Sequence, residues 1–526
     1  MYLAQGGFVF WDWLILVAYL ALVVVIGIWA GRKRSGETGD TVSGGGGDDY
    51  FLASRSMPMW AVAISILATS QSAATFVGGP QQAYAGNLTY LMANLGGLLA
   101  VILVAVLFIP AFYKHNVTSI YELLGHRFGP LAQRSAGAMF LIGRIFASGA
   151  RLFIVAFPFS LVAFGSIEPT QLIISIAIIA CGATFYTMIG GIRAVIWTDV
   201  LQAVVYITTL GIALVLLWQK MPIDTSQFIE ALRSAPEGDK LQMLDVGLNS
   251  KEDFAKPYTL WAILIGMTLF NLAAYGTDQD LTQRMLTCKS SRKGSWSVIL
   301  SNLIGWPIVF LFLVMGLMLY VFYSRPDLMG ASAPGYEIDD SRKVFLEFIL
   351  HEMPTGLRGL MMAGLFAAAM SSMDSALNAM ASTTIADFYR PLRKHKASSQ
   401  QERTASRWAV GFWAVALAAF ACFCVFWQQA GGDTLINFAL GVMVFAYSGL
   451  LSVFLTALLT TRGNQWSVMA ALAMGFVSVL LMQDKYWAMW APSLGLDFTI
   501  AFPWKMLVAT ALSFGVCILG TRKTTT

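Results

Sequence analysis

Two polar stretches interrupt otherwise apolar sequence, and their residue types suit a hard monovalent cation. The first is Ala68-Thr69-Ser70-Gln71-Ser72-Ala73-Ala74-Thr75, inside residues 56–113, which contain no Asp, Glu, Lys or Arg. Ser and Thr hydroxyls return hydrogen bonds to backbone carbonyls, and the following Gly78-Gly79-Pro80 lowers the cost of interrupting a helix. An interrupted membrane helix exposes carbonyls that suit sodium and a free helix N-terminus that suits an anionic group. The second stretch is Phe366-Ala367-Ala368-Ala369-Met370-Ser371-Ser372-Met373-Asp374-Ser375, with Asn378 a turn later. The adjacent hydroxyls of Ser371 and Ser372 offer neutral oxygen ligands to a hard cation. The competing explanation for both is close helix packing through small residues.

Three further features carry charge or polarity where a structural helix avoids it. Asp199 follows Gly190-Gly191-Ile192-Arg193 near the start of an apolar run. A carboxylate at that depth binds a cation or a proton, or else caps a helix or pairs with Arg193. Arg144 and Arg151 are seven residues apart and so share a helix face. A deep guanidinium needs an anion, either a protein carboxylate or the carboxylate of a substrate, and Arg151 is expected to be the deeper of the two. Residues 271–279, Asn271-Leu272-Ala273-Ala274-Tyr275-Gly276-Thr277-Asp278-Gln279, read as a second interrupted helix, or as an ordinary polar helix end.

The elements that position these groups must cross a membrane. The 526 residues are 57% hydrophobic and 12% charged, too little charge to cover a soluble protein. Runs at 88–113, 170–192, 200–219, 294–324, 408–432 and 435–461 lack Asp, Glu, Lys and Arg, and a span needs roughly 20 such residues. The chain reads as an all-α polytopic membrane protein with about 13 transmembrane helices, near 10–31, 58–84, 88–113, 130–165, 168–190, 193–219, 257–280, 294–324, 355–388, 404–430, 433–460, 465–483 and 503–521. The division expected is an extra N-terminal helix and Gly-rich cytoplasmic linker (1–57), a first repeat (58–219), an external loop (220–256), a second repeat (257–461) and C-terminal helices (462–526). The first helix reads as retained rather than cleaved. A short amphipathic helix is expected at 344–349.

The net charge of +5 marks topology rather than nucleic-acid binding. With the N-terminus outside and the C-terminus cytoplasmic, the basic segments 32–34, 114–134, 284–293, 390–407 and 522–523 all fall inside. The five cysteines lie mostly in apolar spans without metal spacing, and no nucleophile–base set is visible, so no enzyme activity is expected.

Tyr50-Phe51-Leu52-Ala53-Ser54-Arg55-Ser56-Met57, the block from Gly190 to Asp199, and the stretch from Ala368 to Asn378 resemble motifs of the sodium:solute symporter family. The resemblance covers almost the whole chain. It implies a five-plus-five inverted-repeat core of the LeuT type, with the first and sixth core helices broken. It implies a sodium site made by the carbonyls of Ala68, Gln71 and Ala368 and the hydroxyls of Ser371 and Ser372. A second sodium is implied at Asp199, Ser371 and Ser375, with Asp374 where another hydroxyl would stand. Where the sugar carriers have a gating aromatic, this chain has Ala273 and Ala274, and Ala74-Thr75 replaces their acidic or amide pair. Ser72, Thr75 and Arg151 are more similar to the bacterial sialic-acid symporter branch, where such residues hold a carboxylate. Ser70, Tyr90, Asn94, Asn271 and Tyr275 would line the rest of a substrate site.

The function expected is sodium-coupled import of a small organic solute by alternating access, most readily a carboxylate such as sialic acid, by a monomer in a bacterial inner membrane. A sugar or polyol symporter with Arg151 paired internally is the alternative, and an uncoupled channel or sensor on the same fold is the alternative of another class.

Overall fold

The computed structural model describes residues 8–32, 51–336, 338–393, 398–429 and 434–521. The Gly-rich linker, Lys33, Arg34, Tyr50, Lys394, Lys396 and the basic pair at 522–523 lie outside the described residues. Every regular element described is helical, with one isolated bridge between Met57 and Cys288.

The extra N-terminal helix is α1 (Phe10–Arg32). The first polar stretch divides one span into α2 (Met59–Ser70) and α3 (Ala73–Ala85), bent by 59°. Ser72 causes the break. Its backbone is extended (φ −89°, ψ 179°), its Oγ accepts from the Ala74 amide, and its carbonyl takes the Thr75 amide. The small residues after it let α3 pack closely: a Cβ at Gly78 would stand 2.8 Å from Ile436 Cγ1.

Next come α4 (Leu88–Lys114) and α5 (Pro130–Phe164), which carries both deep arginines. The segment Pro169–Lys220 is broken at Gly191 (φ 60°, ψ −179°), a conformation that needs no Cβ. The break separates α6 (169–190) from α7 (Gly191–Lys220), which holds Asp199. The segment after it folds α8 (Thr225–Arg233) behind a capping box of Asp224 and Gln227.

The second broken helix is α9 (Ala262–Gly276) followed by α10 (Gln279–Leu286). Asp278 caps α10, its Oδ1 accepting from the Asp280 amide at 3.0 Å. Then follow α11 (Ser291–Ser324), α12 (Leu357–Thr383), α13 (Ser399–Gln429), α14 (Leu435–Leu459), α15 (Gln465–Leu481), α16 (Asp484–Trp490) and α17 (Phe502–Leu519). The short helix expected at 344–349 is present as Val344–Glu347, widening into a π turn over Phe348–Glu352.

Nine described helices are long and apolar enough to span, or eleven if the bent pairs 59–85 and 465–494 each count as one. The short apolar helices Pro169–Thr184 and Ala262–Gly276 fall below that length, so a count of about 13 rests on two sub-length helices. Helix α12 is buried along nearly its whole length, because Ala367 to Ala369, Ser371, Ser372, Ala376 and Ala379 let α7, α1 and α5 approach. Helix α1 packs against both α7 and α12, the two helices that carry Asp199 and the paired serines.

Candidate functional site

The break in α2 leaves the carbonyls of Ala68 to Gln71 without the amides of a continuous helix. The Ala74 and Thr75 amides return to Ser72, and the Gln71 amide goes to Leu67. Into this break α12 brings its small polar face. The Ser372 hydroxyl lies 3.3 Å from the Ala368 carbonyl and 3.4 Å from the Thr69 carbonyl. Ala68, Ala368, Ser371 and Ser372 are all essentially buried there, so oxygen atoms from both helices converge in a water-excluded setting.

One turn back along α2, at Ser65, lies a second cluster. Asp199 accepts from Ser65 Oγ at 2.5 Å and from Ser371 Oγ at 2.6 Å. The Asp199, Ser371 and Ser375 side chains are therefore brought together, but around a guanidinium. Arg284 of α10 pairs with Asp199 (Nη2 to Oδ2, 3.3 Å), donates to Ser65 Oγ at 2.9 Å and contacts Ser375 Oγ. Asp374 turns elsewhere and accepts from Thr187 Oγ1 at 2.9 Å.

Arg284 also begins a ladder of buried charges. Its Nη1 is 2.8 Å from Asp280 Oδ1, and the other oxygen of Asp280 lies 2.8 Å from Arg144 Nη1. Arg144 further pairs with Asp278, which accepts from Tyr447 OH at 2.6 Å. Asp199, Asp278, Asp280, Arg144 and Arg284 are at most 2% exposed. Three aspartates face two guanidiniums, and Asp280 is shared between the two. Such a network is costly unless every member is bonded, and each of these five is.

Beside the break opens a cavity lined by residues of α2 to α5, α9 to α11 and α14. Ser70, Gln71, Thr75, Tyr90 and Asn94 line it from the first repeat, with Arg144 and Arg151. Asn271 and Tyr275 line it from α9, with Asn302 and Tyr447 opposite. Ser72 is absent from this cavity. It lines a smaller neighbouring one with Ser148, Ser372 and Arg151. Arg151 therefore borders both. Its Nη2 stands 3.8 Å from Met443 Sδ, and among the described residues no carboxylate pairs with it.

Several expectations are corrected. Arg144 is buried and paired with two aspartates, whereas Arg151 is partly exposed. Arg284 was counted with the basic segment 284–293, but it is 0% exposed and ion-paired, so it is no surface topology charge. Asp199 neither caps a helix nor pairs with Arg193, which donates instead to Ser56 Oγ at 2.7 Å. Sequence reasoning missed Ser65, Asp280, Arg284 and Tyr447 as members of the site. The one local signal was the opposite charge of Asp280 and Arg284 at a four-residue spacing on one helix face.

Residues 50–475 match the family model described as the sodium:solute symporter family. The human sodium/iodide cotransporter is 28% identical over 72% of this chain, a match that spans 56% of that protein. A sodium/sialic acid symporter of Proteus mirabilis (strain HI4320) is 27% identical over 91% of this chain and 90% of its own length. Among solved structures, a substrate-bound outward-open state of a sodium-coupled sialic acid symporter superposes with a TM-score of 0.77 at 23% identity, covering 98% of each chain. At that identity the superposition speaks for the fold.

Proposed function

The chain belongs to the sodium:solute symporter family and is therefore a membrane carrier driven by sodium rather than an enzyme, and we propose that its solute is a small organic acid. One observation carries the choice of an acid. Of the three deep arginines, Arg144 and Arg284 are neutralised by aspartates, whereas Arg151 reaches the cavity without a carboxylate partner. A guanidinium placed there is a fork for a carboxylate. The relatives agree in chemistry, since iodide and sialic acid are both anions. A sialic acid fits best: Thr75 and Arg151 would take its carboxylate, and Tyr90, Asn94, Asn271 and Tyr275 its hydroxyl and amide groups.

Sodium would lie at the break, held by the carbonyls of Ala68, Gln71 and Ala368 and the hydroxyls of Ser371 and Ser372. Bound there, it ties α2 to α12, and the solute beside it ties α3 to α5 and α9. Each then strengthens the binding of the other, because coupling between two sites is reciprocal. Alternating access follows when these ties release together. The repeats would be 58–219 and 257–461, working in a monomer of the bacterial inner membrane with the N-terminus outside.

The test is uptake of N-acetylneuraminate into proteoliposomes with and without an inward sodium gradient. Gradient-driven accumulation is expected, and Arg151→Ala is expected to abolish it. Equal uptake in both conditions would instead favour a channel. Unchanged affinity in Arg151→Ala would remove the acid.

A further inference from the structure

Helices α3 and α14 run past each other in opposite directions and meet at successive levels. Thr75 of α3 and Leu440 of α14 line the larger cavity. At the next level along both helices Gly78 packs on Ile436, where a Cβ would stand 2.8 Å from Cγ1. At the level beyond, Gln81 Oε1 accepts from the Leu435 amide at 3.2 Å, and Gln82 Oε1 accepts from Thr434 Oγ1 at 3.1 Å. A solute that moves from the cavity toward the C-terminal end of α3 must therefore part these two helices.

Gln81 holds the outermost level. It is buried, and both ends of its carboxamide are bonded. The Leu435 amide can only donate, which fixes Oε1 toward α14, and Nε2 then donates to Ser341 Oγ at 3.2 Å. Leu435 opens α14, and the first amides of a helix have no partner within it. Gln81 thus completes the cap that Thr434 begins by accepting from the Asn437 amide at 3.4 Å. Ser341 opens the short turn Ser341–Lys343, where the Arg342 guanidinium lies over the Phe157 ring of α5, 5.8 Å from its centroid. One side chain therefore ties α3 to α14 and, through this turn, to α5. The tie is releasable, because water can replace both bonds. The residues before it, Gly78-Gly79-Pro80, weaken the last turns of α3, since Pro80 gives no amide to the Phe76 carbonyl.

We propose that Gln81 is a gate latch: its carboxamide holds this end of the larger cavity shut, and its release from Leu435 and Ser341 lets α3 and α14 part during alternating access. The latch is independent of which solute is carried and of which side of the membrane this end faces.

A disulfide across the middle level reads the gate directly. Gly78→Cys with Ile436→Cys puts two thiols where the Gly78 Cβ position and the Ile436 side chain already meet, a separation that suits a disulfide. The full-length protein, in proteoliposomes, is oxidised with copper phenanthroline, and the linked peptide is followed over time by mass spectrometry. Ready cross-linking is expected while Gln81 is present. Gln81→Leu, close in size but without hydrogen bonds, should slow it about threefold or more, because the closed state is less populated. Gln81→Glu keeps an acceptor for the Leu435 amide and for the Ser341 hydroxyl, and should restore most of the rate. A cooperative melting transition shows that each variant is folded. Cross-linking in Gln81→Leu at the rate of the parent would overturn the latch. So would Gln81→Glu as slow as Gln81→Leu, because packing and not hydrogen bonding would then hold the helices. A pair that does not cross-link even with Gln81 in place would show that the two helices are not held together here.

Discussion

Arg284 Nη2 stands 3.3 Å from Asp199 Oδ2, and neither side chain reaches solvent. The guanidinium thus sits among Asp199, Ser371 and Ser375, the residues from which the family resemblance implies a second sodium. A cation is already present there, and it belongs to the protein. Through Asp280 the same arginine is linked to Arg144 and so to the wall of the larger cavity. Asp280 is the joint of this ladder, because its two oxygens each take a different arginine.

That pairing predicts strong coupling between substitutions. Arg284→Met leaves Asp199 buried and uncompensated, which should cost about 3–5 kcal/mol of stability. Asp199→Asn should be costly for the mirror reason. The double substitution should be less damaging than the two combined, with an interaction energy of about 0.5–3 kcal/mol. Unfolding of the four proteins in detergent, followed by intrinsic fluorescence, gives the cycle. Additive effects would show that the two groups do not depend on each other.

The sodium site makes a separate prediction. Removal of sodium, with choline in its place, should lower the melting temperature, because a ligand that binds only the folded state stabilises it by mass action. Ser371→Ala with Ser372→Ala should abolish most of that difference and raise the sodium needed for half-maximal uptake about tenfold or more, the scale of one or two lost ligands. Ser372→Ala alone isolates the break from the Asp199 cluster, since only Ser371 bonds to Asp199. A sodium-dependent melting shift identical to wild type in the double variant would refute the assignment.

The breaks in the first and sixth core helices were legible because local chemistry makes them. Ser72 caps α3, and Asp278 caps α10. The polar face of α12 was legible for the same reason. The ladder was not, because it joins α5, α7 and α10, and no local pattern reports which distant charges meet. Arg144 and Arg151 share a face at a seven-residue spacing, so sequence could not say which of them meets aspartate. Ser72 and Thr75 are three residues apart, yet they face different cavities, because Ser72 is extended while Thr75 is already helical. A helical spacing argument fails across a cap.

The first helix makes the last prediction. Asp12 is fully buried, and its Oδ1 accepts from the amides of Gly356 and Gly359 at 2.7 and 3.2 Å. It therefore caps α12 from another helix, while Arg358 Nε approaches its second oxygen at 3.5 Å. A negative charge at a helix N-terminus also opposes the dipole. Asp12→Ala should lower stability by about 1–2 kcal/mol, the usual size of a lost cap. Asp12→Asn keeps an acceptor oxygen and should lose less. Gly359→Ala should be worse than either, because its Cβ would stand 2.4 Å from the Asp12 carbonyl oxygen and must push α1 away from α12. Because α1 also packs on α7, that displacement should expose the Asp199 side of the protein and speed proteolysis within α1. Melting temperatures and limited proteolysis of the three variants rank the effects. A Gly359→Ala protein as stable and protease-resistant as wild type would show that α1 is not held by this contact.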